Sequence, residues 1–192
     1  MLYQVLKGAF DQPFIDMVET IVADIPAQKG ATVEEDDYST RDCDLHWIDY
    51  GTKGFDLIHP HIKEALKQIG EVDPGTWEYE NIQYTAYGQK GFHDWHIDTF
   101  RRSYNRYDLP LGKRFVGKSR KLSVSILLNG RDEFTGGNFE ISMFPNGTNT
   151  VGTPLDDFSK AGDMAIFDSK LCHRVAPVET GLRKSLVSWI CA

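Results

Sequence analysis

Residues 92–98, with the sequence FHDWHID, hold two of the three side chains that decide how this chain folds and what it binds. Side chains alternate between the two faces of a β-strand, so His96 and Asp98 point to the same side and can contact one ion. A third candidate ligand, His173, must come from a different strand. Two imidazoles and one carboxylate form the three-ligand set that is typical of non-haem Fe(II) sites, and they leave further metal positions open. The pattern predicts a metal site formed by His96, Asp98 and His173.

A carboxylate-binding pair follows the third ligand. Arg183 and Ser185 lie at the start of a strand that we predict for residues 183–191. Because they are two residues apart they share a face, and a guanidinium and a hydroxyl can then bind the same carboxylate. A lone His-x-Asp pair or Arg-x-Ser pair occurs often by chance. The complete set in this order predicts a metal enzyme with a carboxylate-bearing co-substrate.

Longer stretches of the sequence resemble iron(II)- and 2-oxoglutarate-dependent dioxygenases of the prolyl 4-hydroxylase type, particularly a small microbial branch similar to prolyl and lysyl hydroxylase domains. The resemblance is dense from about residue 77 to residue 192, and a fainter echo lies upstream at residues 41–48. The matching segments are residues 84–88 (YTAYG), 93–98 (HDWHID), 120–129 (RKLSVSILLN), 134–141 (FTGGNFEI), 162–163 (GD), 173–178 (HRVAPV) and 181–185 (GLRKS).

The resemblance implies a mainly-β (α+β) fold. Its core would be a double-stranded β-helix, or jelly roll, over about residues 77–192, with the iron at the open mouth. Residues 1–76 would form a supporting helical region. Residues 1–192 would make one dioxygenase domain, and a chain of 192 residues with 41% apolar content is long enough to bury one substantial core.

The resemblance also implies the chemistry. Fe(II) would be held by His96, Asp98 and His173, with 2-oxoglutarate as co-substrate, O2 as oxidant and ascorbate as a candidate reductant. The expected reaction hydroxylates an unactivated C–H bond and releases succinate and CO2. The substrate class that the resemblance favours is a prolyl residue in a peptide or protein.

For the co-substrate, the resemblance assigns Arg183 to the far carboxylate of 2-oxoglutarate, where collagen-type relatives place a lysine. Ser185 and Tyr87 would add hydrogen bonds to the same molecule. Some oxygen-sensing relatives use a tyrosine at the position where this chain has Leu127. This difference leaves Tyr87 as the tyrosine expected to contact the co-substrate.

Two helices and a series of short strands are predicted along the chain. The first helix covers residues 12–24, with Asp11 as its N-cap and Pro13 in its first turn, and the second covers residues 60–69. Short strands joined by glycine-rich turns are typical of a sandwich or jelly roll. The predicted strands cover residues 2–5, 77–87, 92–98, 121–128, 138–144, 164–168, 175–178 and 186–190.

Residues 101–121 stand out because they contain eight basic residues and one acid in a chain of net charge −7. Tyr104, Tyr107 and Phe115 are interleaved with these charges. We expect this segment to fold over the bound substrate and to lack packing of its own without it. The alternative is a solvated insertion whose charges only keep it soluble.

The remaining histidines are interpreted as structural. His93 is expected on the strand face opposite His96, near the surface or behind the ligands. His59 and His61 flank Pro60 at the predicted start of the second helix, where capping or exposure is expected. His46 is expected to pack beside Trp47.

Composition bears on location and partners. Three cysteines, Cys43, Cys172 and Cys191, are odd in number and lack metal-knuckle spacing, which favours a reducing cytoplasm. No apolar run approaches the ~20 residues that cross a membrane, and the first residues do not resemble a signal peptide. The oligomeric state is not indicated.

Three other functions stay open at this level. An oxidative nucleic-acid demethylase uses the same metal and co-substrate, although overall acidity disfavours nucleic acid as a partner. A hydroxylase of a free amino acid or another small molecule would have the same site. A non-catalytic metal-binding β-roll would keep the fold without turnover, and succinate production would exclude it.

Overall fold

Two antiparallel β-sheets form the framework, and both histidines of the predicted metal site lie on the smaller sheet. The structure, a computed structural model, describes residues 2–30, 40–69, 77–99, 102–105, 112–146 and 149–192. Its helices are α1 (Gln12–Val22) and α2 (Lys53–Lys67), with a 3₁₀ turn at Lys113–Phe115. Its strands are β1 (Tyr3–Leu6), β2 (Gln28–Lys29), β3 (Arg41–Asp42), β4 (Asp44–Ile48), β5 (Glu78–Tyr79), β6 (Ile82–Tyr87), β7 (Phe92–His96), β8 (Arg120–Leu127), β9 (Phe134–Gly136), β10 (Phe139–Ser142), β11 (Thr153–Pro154), β12 (Met164–Asp168), β13 (Cys172–Val175), β14 (Val178–Gly181) and β15 (Arg183–Cys191).

The strand order is that of a jelly roll. Within the described residues the larger sheet has the order β1-β12-β8-β15-β6-β4-β2, and β5 also pairs with β15. The smaller sheet has the order β11-β10-β13-β7-β3, and β9 pairs with β14 separately. From β6 to β15 the chain passes back and forth between the two sheets through antiparallel pairs. The predicted mainly-β jelly-roll fold is confirmed.

The N-terminal region contributes strands as well as helices. β1 pairs with β12 on one side of the larger sheet, and β4 pairs with β6 toward the other side. Sequence analysis predicted one short strand here, near β1, but not β2, β3 or β4. β3 and β4 lie within residues 41–48, the segment with the faint upstream resemblance, and β2 pairs with β4, so this segment extends both sheets.

Helix α1 forms where its capping residues and apolar stripe predict it. The Asp11 side chain accepts a hydrogen bond from the Phe14 backbone N–H at 3.0 Å, which satisfies one of the free donors at the helix start. Pro13 lies in the first turn, where its missing N–H has no cost. The helix buries Phe14 and Val18 against the larger sheet and ends at Val22, two residues before the predicted end.

Helix α2 begins seven residues earlier than predicted. Its N-cap is Thr52, and Pro60 lies inside the helix, not at its start. The interior proline removes one helical hydrogen bond. The helix nevertheless continues through it because Phe55 and Ile58, before the proline, are buried in the same core as the residues that follow it. Within the described residues, neither helix has the length and apolar character needed to cross a membrane.

The strands of the larger sheet are buried on both faces. Residues such as Tyr84, Ile126 and Leu186 pack toward the helices in one core. The alternate residues face the smaller sheet, where Leu127 and Phe167 join Phe139 in a second core. The helix face of these strands is the more apolar one, since Ser123 and Ser125 alternate with Leu122, Val124 and Ile126 along β8.

Several predicted strand bounds differ from the structure. The predicted strand 77–87 is interrupted at Glu80 and Asn81, between β5 and β6. The predicted strand 138–144 ends at Ser142. The prediction of a strand at residues 175–178 is wrong, because this stretch joins β13 to β14, and His173 lies within β13.

Candidate active site

The two histidines of the predicted triad face each other across neighbouring strands. His96 ends β7 and pairs in register with His173 on β13, and their ring centroids are 4.1 Å apart. Asp98 follows β7 by two residues. Its Oδ1 lies 3.7 Å from His96 Nε2, and its Oδ2 lies 3.6 Å from His173 Nε2. All three donor atoms lie within 4.8 Å of one another, so one ion could contact them together.

Backbone carbonyls fix the orientation of both imidazole rings. Nδ1 of His96 lies 2.7 Å from the carbonyl oxygen of Asp94, and Nδ1 of His173 lies 2.9 Å from that of Leu171. Since a carbonyl only accepts hydrogen bonds, each neutral ring carries its proton on Nδ1 and presents the Nε2 lone pair beside Asp98. This is the tautomer that metal binding through Nε2 requires.

Burial and nearby charges set the protonation of the triad. Burial lowers the pKa of His96, and the neighbouring His173 lowers it further. For Asp98, burial opposes ionisation, but His173, His96 and Arg120 together outweigh it and lower the pKa of the carboxyl. At neutral pH His96 is therefore a neutral imidazole and Asp98 a carboxylate, and His173 adds the third donor atom. This donor set fits a divalent ion such as Fe(II).

His93 lies against the triad, which contradicts the prediction that it faces the opposite side. Its ring stacks on His96 with centroids 3.5 Å apart and planes inclined by 19°. A β-bulge is the reason, because the four residues from His93 to His96 on β7 oppose the three from Val175 to His173 on β13. The extra residue returns His93 to the inner face, where burial lowers its pKa well below the usual value.

Arg183 starts β15 and faces the same cavity as the triad, with 2% of its surface exposed. Its Nη1 donates to Ser185 Oγ at 3.1 Å, and no carboxylate in the described part of the chain pairs with it. Gly137, at φ +57°, leaves room for its stem, since a Cβ there would lie 3.0 Å from Arg183 Cδ. A buried guanidinium without a counter-ion favours the binding of an anion.

Tyr87 lies directly opposite Arg183 in the register of β6 and β15. The Arg183 guanidinium carbon is 5.5 Å from the centre of the Tyr87 ring. Burial raises the pKa of the Tyr87 hydroxyl, although the charges of Arg41 and Arg183 act in the opposite direction. The phenol therefore stays protonated and can donate a hydrogen bond next to the Arg183 cation.

Asn129 holds the backbone on both sides of Arg183. Its side-chain Nδ2 donates to the Leu182 carbonyl at 2.7 Å, and its Oδ1 accepts from the Lys184 N–H at 2.8 Å. Its carboxamide thus continues the ladder between β8 and β15 beyond the end of β8. With 3% of its surface exposed, Asn129 makes these bonds away from water, so they should fix the direction in which Arg183 leaves the strand.

The triad and the Arg183 region border one cavity of about 560 Å³. This volume falls in the range of roughly 300–1,000 Å³ that is usual for small-molecule sites. All six predicted site residues line the cavity, namely Tyr87, His96, Asp98, His173, Arg183 and Ser185.

Comparison with known protein families agrees with this geometry. The family model described as the 2OG-Fe(II) oxygenase superfamily matches residues 82–191, more than half of the chain. The chain belongs to the 2OG-Fe(II) oxygenase superfamily. It is a 2-oxoglutarate-dependent dioxygenase that uses Fe(II), 2-oxoglutarate and O2, and the predicted enzyme class and these cofactors are confirmed.

Solved structures share the fold of this oxygenase at low sequence identity. The viral collagen prolyl hydroxylase of Paramecium bursaria Chlorella virus 1, solved with 2-oxoglutarate, is 18% identical, with 100% of this chain and 97% of that chain covered and a TM-score of 0.63. A Pseudomonas putida prolyl-4-hydroxylase is 16% identical, with coverage of 97% and 91% and a TM-score of 0.66. A Trichoplax adhaerens prolyl hydroxylase, solved with a hypoxia-inducible-factor peptide, is 15% identical, with coverage of 98% and 82% and a TM-score of 0.65. No curated protein matches the sequence.

The basic segment of this oxygenase is packed where the structure describes it. Arg101 and residues 106–111, including Tyr107, lie outside the described residues. Tyr104 and Phe115 are 7% and 1% exposed and form a small core with Cys191. The prediction that the segment lacks packing of its own is therefore wrong for residues 102–105 and 112–121. The number of charges did not indicate this packing, because it depends on two aromatic side chains, Tyr104 and Phe115.

One cavity residue of the oxygenase was missed by sequence reasoning. Arg41 on β3 lines the cavity, is 8% exposed and donates from Nε to Cys43 Sγ at 3.0 Å. It pairs across the strands with His93. The signal that could have found it was its position as the first residue of the upstream segment resembling the family.

The other histidines that were interpreted as structural have packing roles. His59 lies inside α2 and not at its start; its ring stacks on Phe55 and meets Tyr79 edge-on at 4.3 Å. Burial lowers the pKa of His59 to about 4. His46 donates from Nδ1 to the Ile25 carbonyl at 2.6 Å, and its ring packs on Tyr84. The three cysteines are free and buried.

Proposed function

We propose that this dioxygenase hydroxylates a prolyl residue in a peptide or protein, with Fe(II) held by His96, Asp98 and His173. The observation that carries the proposal is the shared cavity, in which the three donor atoms border the same space as the buried Arg183 guanidinium, which pairs with no carboxylate of the described residues. With Fe(II) in place, the metal supplies the oxidation of 2-oxoglutarate by O2 to succinate and CO2, coupled to hydroxylation of the substrate.

Arg183 would bind the far carboxylate of 2-oxoglutarate. Its guanidinium is buried and fixed by Ser185 and by the backbone clamp of Asn129, so it is already oriented before binding. The Tyr87 hydroxyl would donate to the same molecule from the neighbouring strand. A dianion entering this cavity would meet both the metal and the Arg183 cation, which pairs with no carboxylate of the described residues.

The substrate class is supported by the fold neighbours. Three of them are prolyl hydroxylases by name, and one of the three was solved with a peptide in place. Two basic residues of the segment 101–121 contact other parts of the protein, which weakens the alternative of a nucleic-acid substrate. Arg120 is paired with Glu80, and Arg114 stacks on Phe115 at 4.7 Å. Ascorbate as reductant and a cytoplasmic location belong to this proposal as well.

The function is tested in two steps. Succinate is first measured with Fe(II) and 2-oxoglutarate in the absence and presence of proline-rich peptides, and the peptides are examined by mass spectrometry for the gain of one oxygen. We expect peptide to stimulate succinate release and to gain a hydroxyl on proline. Oxidation of a free amino acid or loss of a methyl group from an oligonucleotide, with no peptide oxidised, would replace the prolyl substrate by that alternative.

The control for this assay is His173→Ala. It removes one of the three proposed ligands, and we expect turnover to be lost while the circular dichroism spectrum stays that of the wild type. Retained turnover in a folded His173→Ala variant would refute the ligand assignment.

The basic segment is also proposed to border the peptide. Replacing Arg101, Arg102 and Arg106 with serine should raise the peptide KM and leave peptide-independent decarboxylation of 2-oxoglutarate nearly unchanged. Salt should weaken peptide binding between ~0.1 and 0.5 M if these charges contact an acidic peptide. A triple variant with an unchanged peptide KM would identify the segment as a solvated insertion.

A further inference from the structure

Glu80 is a buried carboxylate that the proposed chemistry does not use. It lies at the break between β5 and β6, is 3% exposed and is held to β15 by its backbone N–H, which donates to the Trp189 carbonyl. Arg120 binds both of its oxygens, with N–O distances of 2.8 and 2.6 Å. The Tyr104 hydroxyl and the Cys191 thiol donate to Oε1 as well.

On one side this network reaches the triad. Arg120 Nη1 donates to the backbone carbonyl of Asp98 at 3.1 Å. The guanidinium cannot swing away, since Glu80 holds it from one direction and the Trp189 ring lies 4.0 Å beneath it. The peptide after His96 is thereby fixed from outside the strand, together with the bond from the Asp98 N–H to the Ser169 carbonyl at 2.9 Å.

On the other side the network reaches the basic segment. Tyr104 is its link, because the Tyr104 hydroxyl bonds to Glu80 while its backbone pairs with the second half of the segment. The Tyr104 N–H donates to the Lys118 carbonyl, and the Gly117 N–H donates to the Tyr104 carbonyl, both at 2.8 Å. The backbone of residues 102–105 is thus hydrogen-bonded to that of residues 112–119, and the Tyr104 hydroxyl connects both stretches to Glu80.

We infer that Glu80 is a positioning residue that couples the anchorage of the basic segment to the placement of Asp98. The inference rests on the proposed role of Asp98 as a metal ligand. Glu80 itself meets no ligand of the metal and acts through Arg120. All the donors around it converge on two oxygens of one carboxylate, so loosening Tyr104 changes the position of the same group that holds Arg120.

Two variants and one matched control separate this role from a merely structural one. Glu80→Gln keeps an acceptor for Tyr104 but turns an amide toward Arg120, which then loses its charged partner. Tyr104→Phe removes one hydroxyl and leaves the Glu80–Arg120 pair intact. Tyr79→Phe is the control, because Tyr79 is the neighbouring buried phenol and its hydroxyl has no hydrogen-bond partner among the described residues.

The measurement is Co(II) binding, followed by the visible absorption of the protein–Co(II) complex without substrate or 2-oxoglutarate. Loss of a group that orients a metal ligand typically weakens metal binding by roughly ten- to a hundredfold. We expect about a tenfold loss for Glu80→Gln, a smaller loss of about threefold for Tyr104→Phe, and none for Tyr79→Phe. Hydrogen exchange at the Asp98 and Thr99 amides should accelerate in the first two variants only.

The outcomes are decisive in each direction. Unchanged Co(II) affinity and amide exchange in a folded Glu80→Gln variant overturn the inference. If Glu80→Gln does not fold, Tyr104→Phe decides, and wild-type affinity with wild-type exchange at Asp98 overturns it. A wild-type protein that binds no Co(II) overturns the proposed metal site, whereas wild-type binding with insensitive variants overturns the coupling alone.

Discussion

Arg183 and Arg120 are both buried arginines beside the triad, and they differ in what balances their charge. Arg120 is held by both oxygens of Glu80, and this pair outweighs burial and raises the pKa of Arg120. Arg183 contacts the Ser185 hydroxyl and, in the described residues, no carboxylate, so burial dominates and lowers its pKa. One cation has its counter-ion inside the protein, and the other does not.

This difference separates structure from binding. A buried ion pair with good geometry fixes the parts of the chain that carry it, whatever its net contribution to stability. A buried cation without a partner destabilises the empty protein, and a ligand that neutralises it is bound more tightly for that reason. Arg120 thus fixes the backbone at Asp98, whereas Arg183 is available to bind the carboxylate of a ligand.

The largest expected effect tests the binding half of the comparison. Arg183→Ala removes a charged, two-pronged contact, and charged hydrogen bonds contribute about 1.5–3 kcal/mol each, so the 2-oxoglutarate KM should rise roughly a hundredfold or more. Arg183→Lys keeps the charge but loses the planar fork, so its 2-oxoglutarate KM should lie between those of the wild type and the Ala variant. Succinate formation against 2-oxoglutarate concentration gives both values. Equal KM values for the Ala and Lys variants would mean that Arg183 is structural.

The second prediction exchanges each arginine for methionine. Arg120→Met leaves the buried Glu80 carboxylate without the Arg120 cation and should lower the free energy of unfolding by about 3–5 kcal/mol. Arg183→Met removes a buried cation that has no counter-ion among the described residues. The free energy of unfolding should therefore stay within about 1 kcal/mol of the wild-type value, or rise. Urea denaturation of the metal-free protein measures both. A large loss of stability from Arg183→Met would show that an internal partner exists, and the comparison would fail.

The third prediction concerns the clamp around Arg183. Asn129→Ala removes two buried hydrogen bonds to the backbone, worth about 1 kcal/mol each, and should raise the 2-oxoglutarate KM by about tenfold with little change in Co(II) affinity. Asn81→Ala is the matched control, because this amide bonds to Asp49 away from the cavity. Equal KM values in the two variants would show that Arg183 needs no clamp.

The smallest effect extends the comparison to His93, a buried basic group that can lose its charge. Burial lowers its pKa, so it is neutral and contributes a flat ring against His96 and no cation. His93→Phe should keep Co(II) affinity within about threefold, while His93→Ala should weaken it further, since an aromatic contact is worth about 0.5–1.5 kcal/mol. A reversed order would indicate that the imidazole nitrogens of His93 matter.

Much of the site could be predicted from the sequence because it depends on strand parity. Arg183 and Ser185 are two residues apart on β15, and a regular strand brings such residues to one face. Asp98 lies just beyond the end of β7, yet the same spacing brings its carboxylate to within 3.7 Å of His96 Nε2. His93 could not be placed in this way. A bulge changes the parity between His93 and His96, and it is defined only when β13 pairs with β7.

The rest depended on contacts between distant parts of the chain. Arg120 counted as one of eight charges in a basic segment, and nothing local shows that Glu80, on another strand, neutralises it. The sequence predicts that helix α2 begins at Pro60, since proline is favourable in the first turn of a helix. Its true start at Thr52 is stabilised by the packing of Phe55 and Ile58 on the sheet, which the local sequence does not reveal.

The two faces of the central strands suggest how such an enzyme could be given a new substrate. On β6, β8 and β15 one face lines the cavity, with residues such as Gln83, Ser125 and Val187, while the helix side carries the apolar core. A substitution on the cavity side changes the shape of the cavity and leaves the packing on the other face of the same strand unchanged. Selection for specificity and selection for stability can therefore proceed on alternate residues of one strand, with little conflict between them.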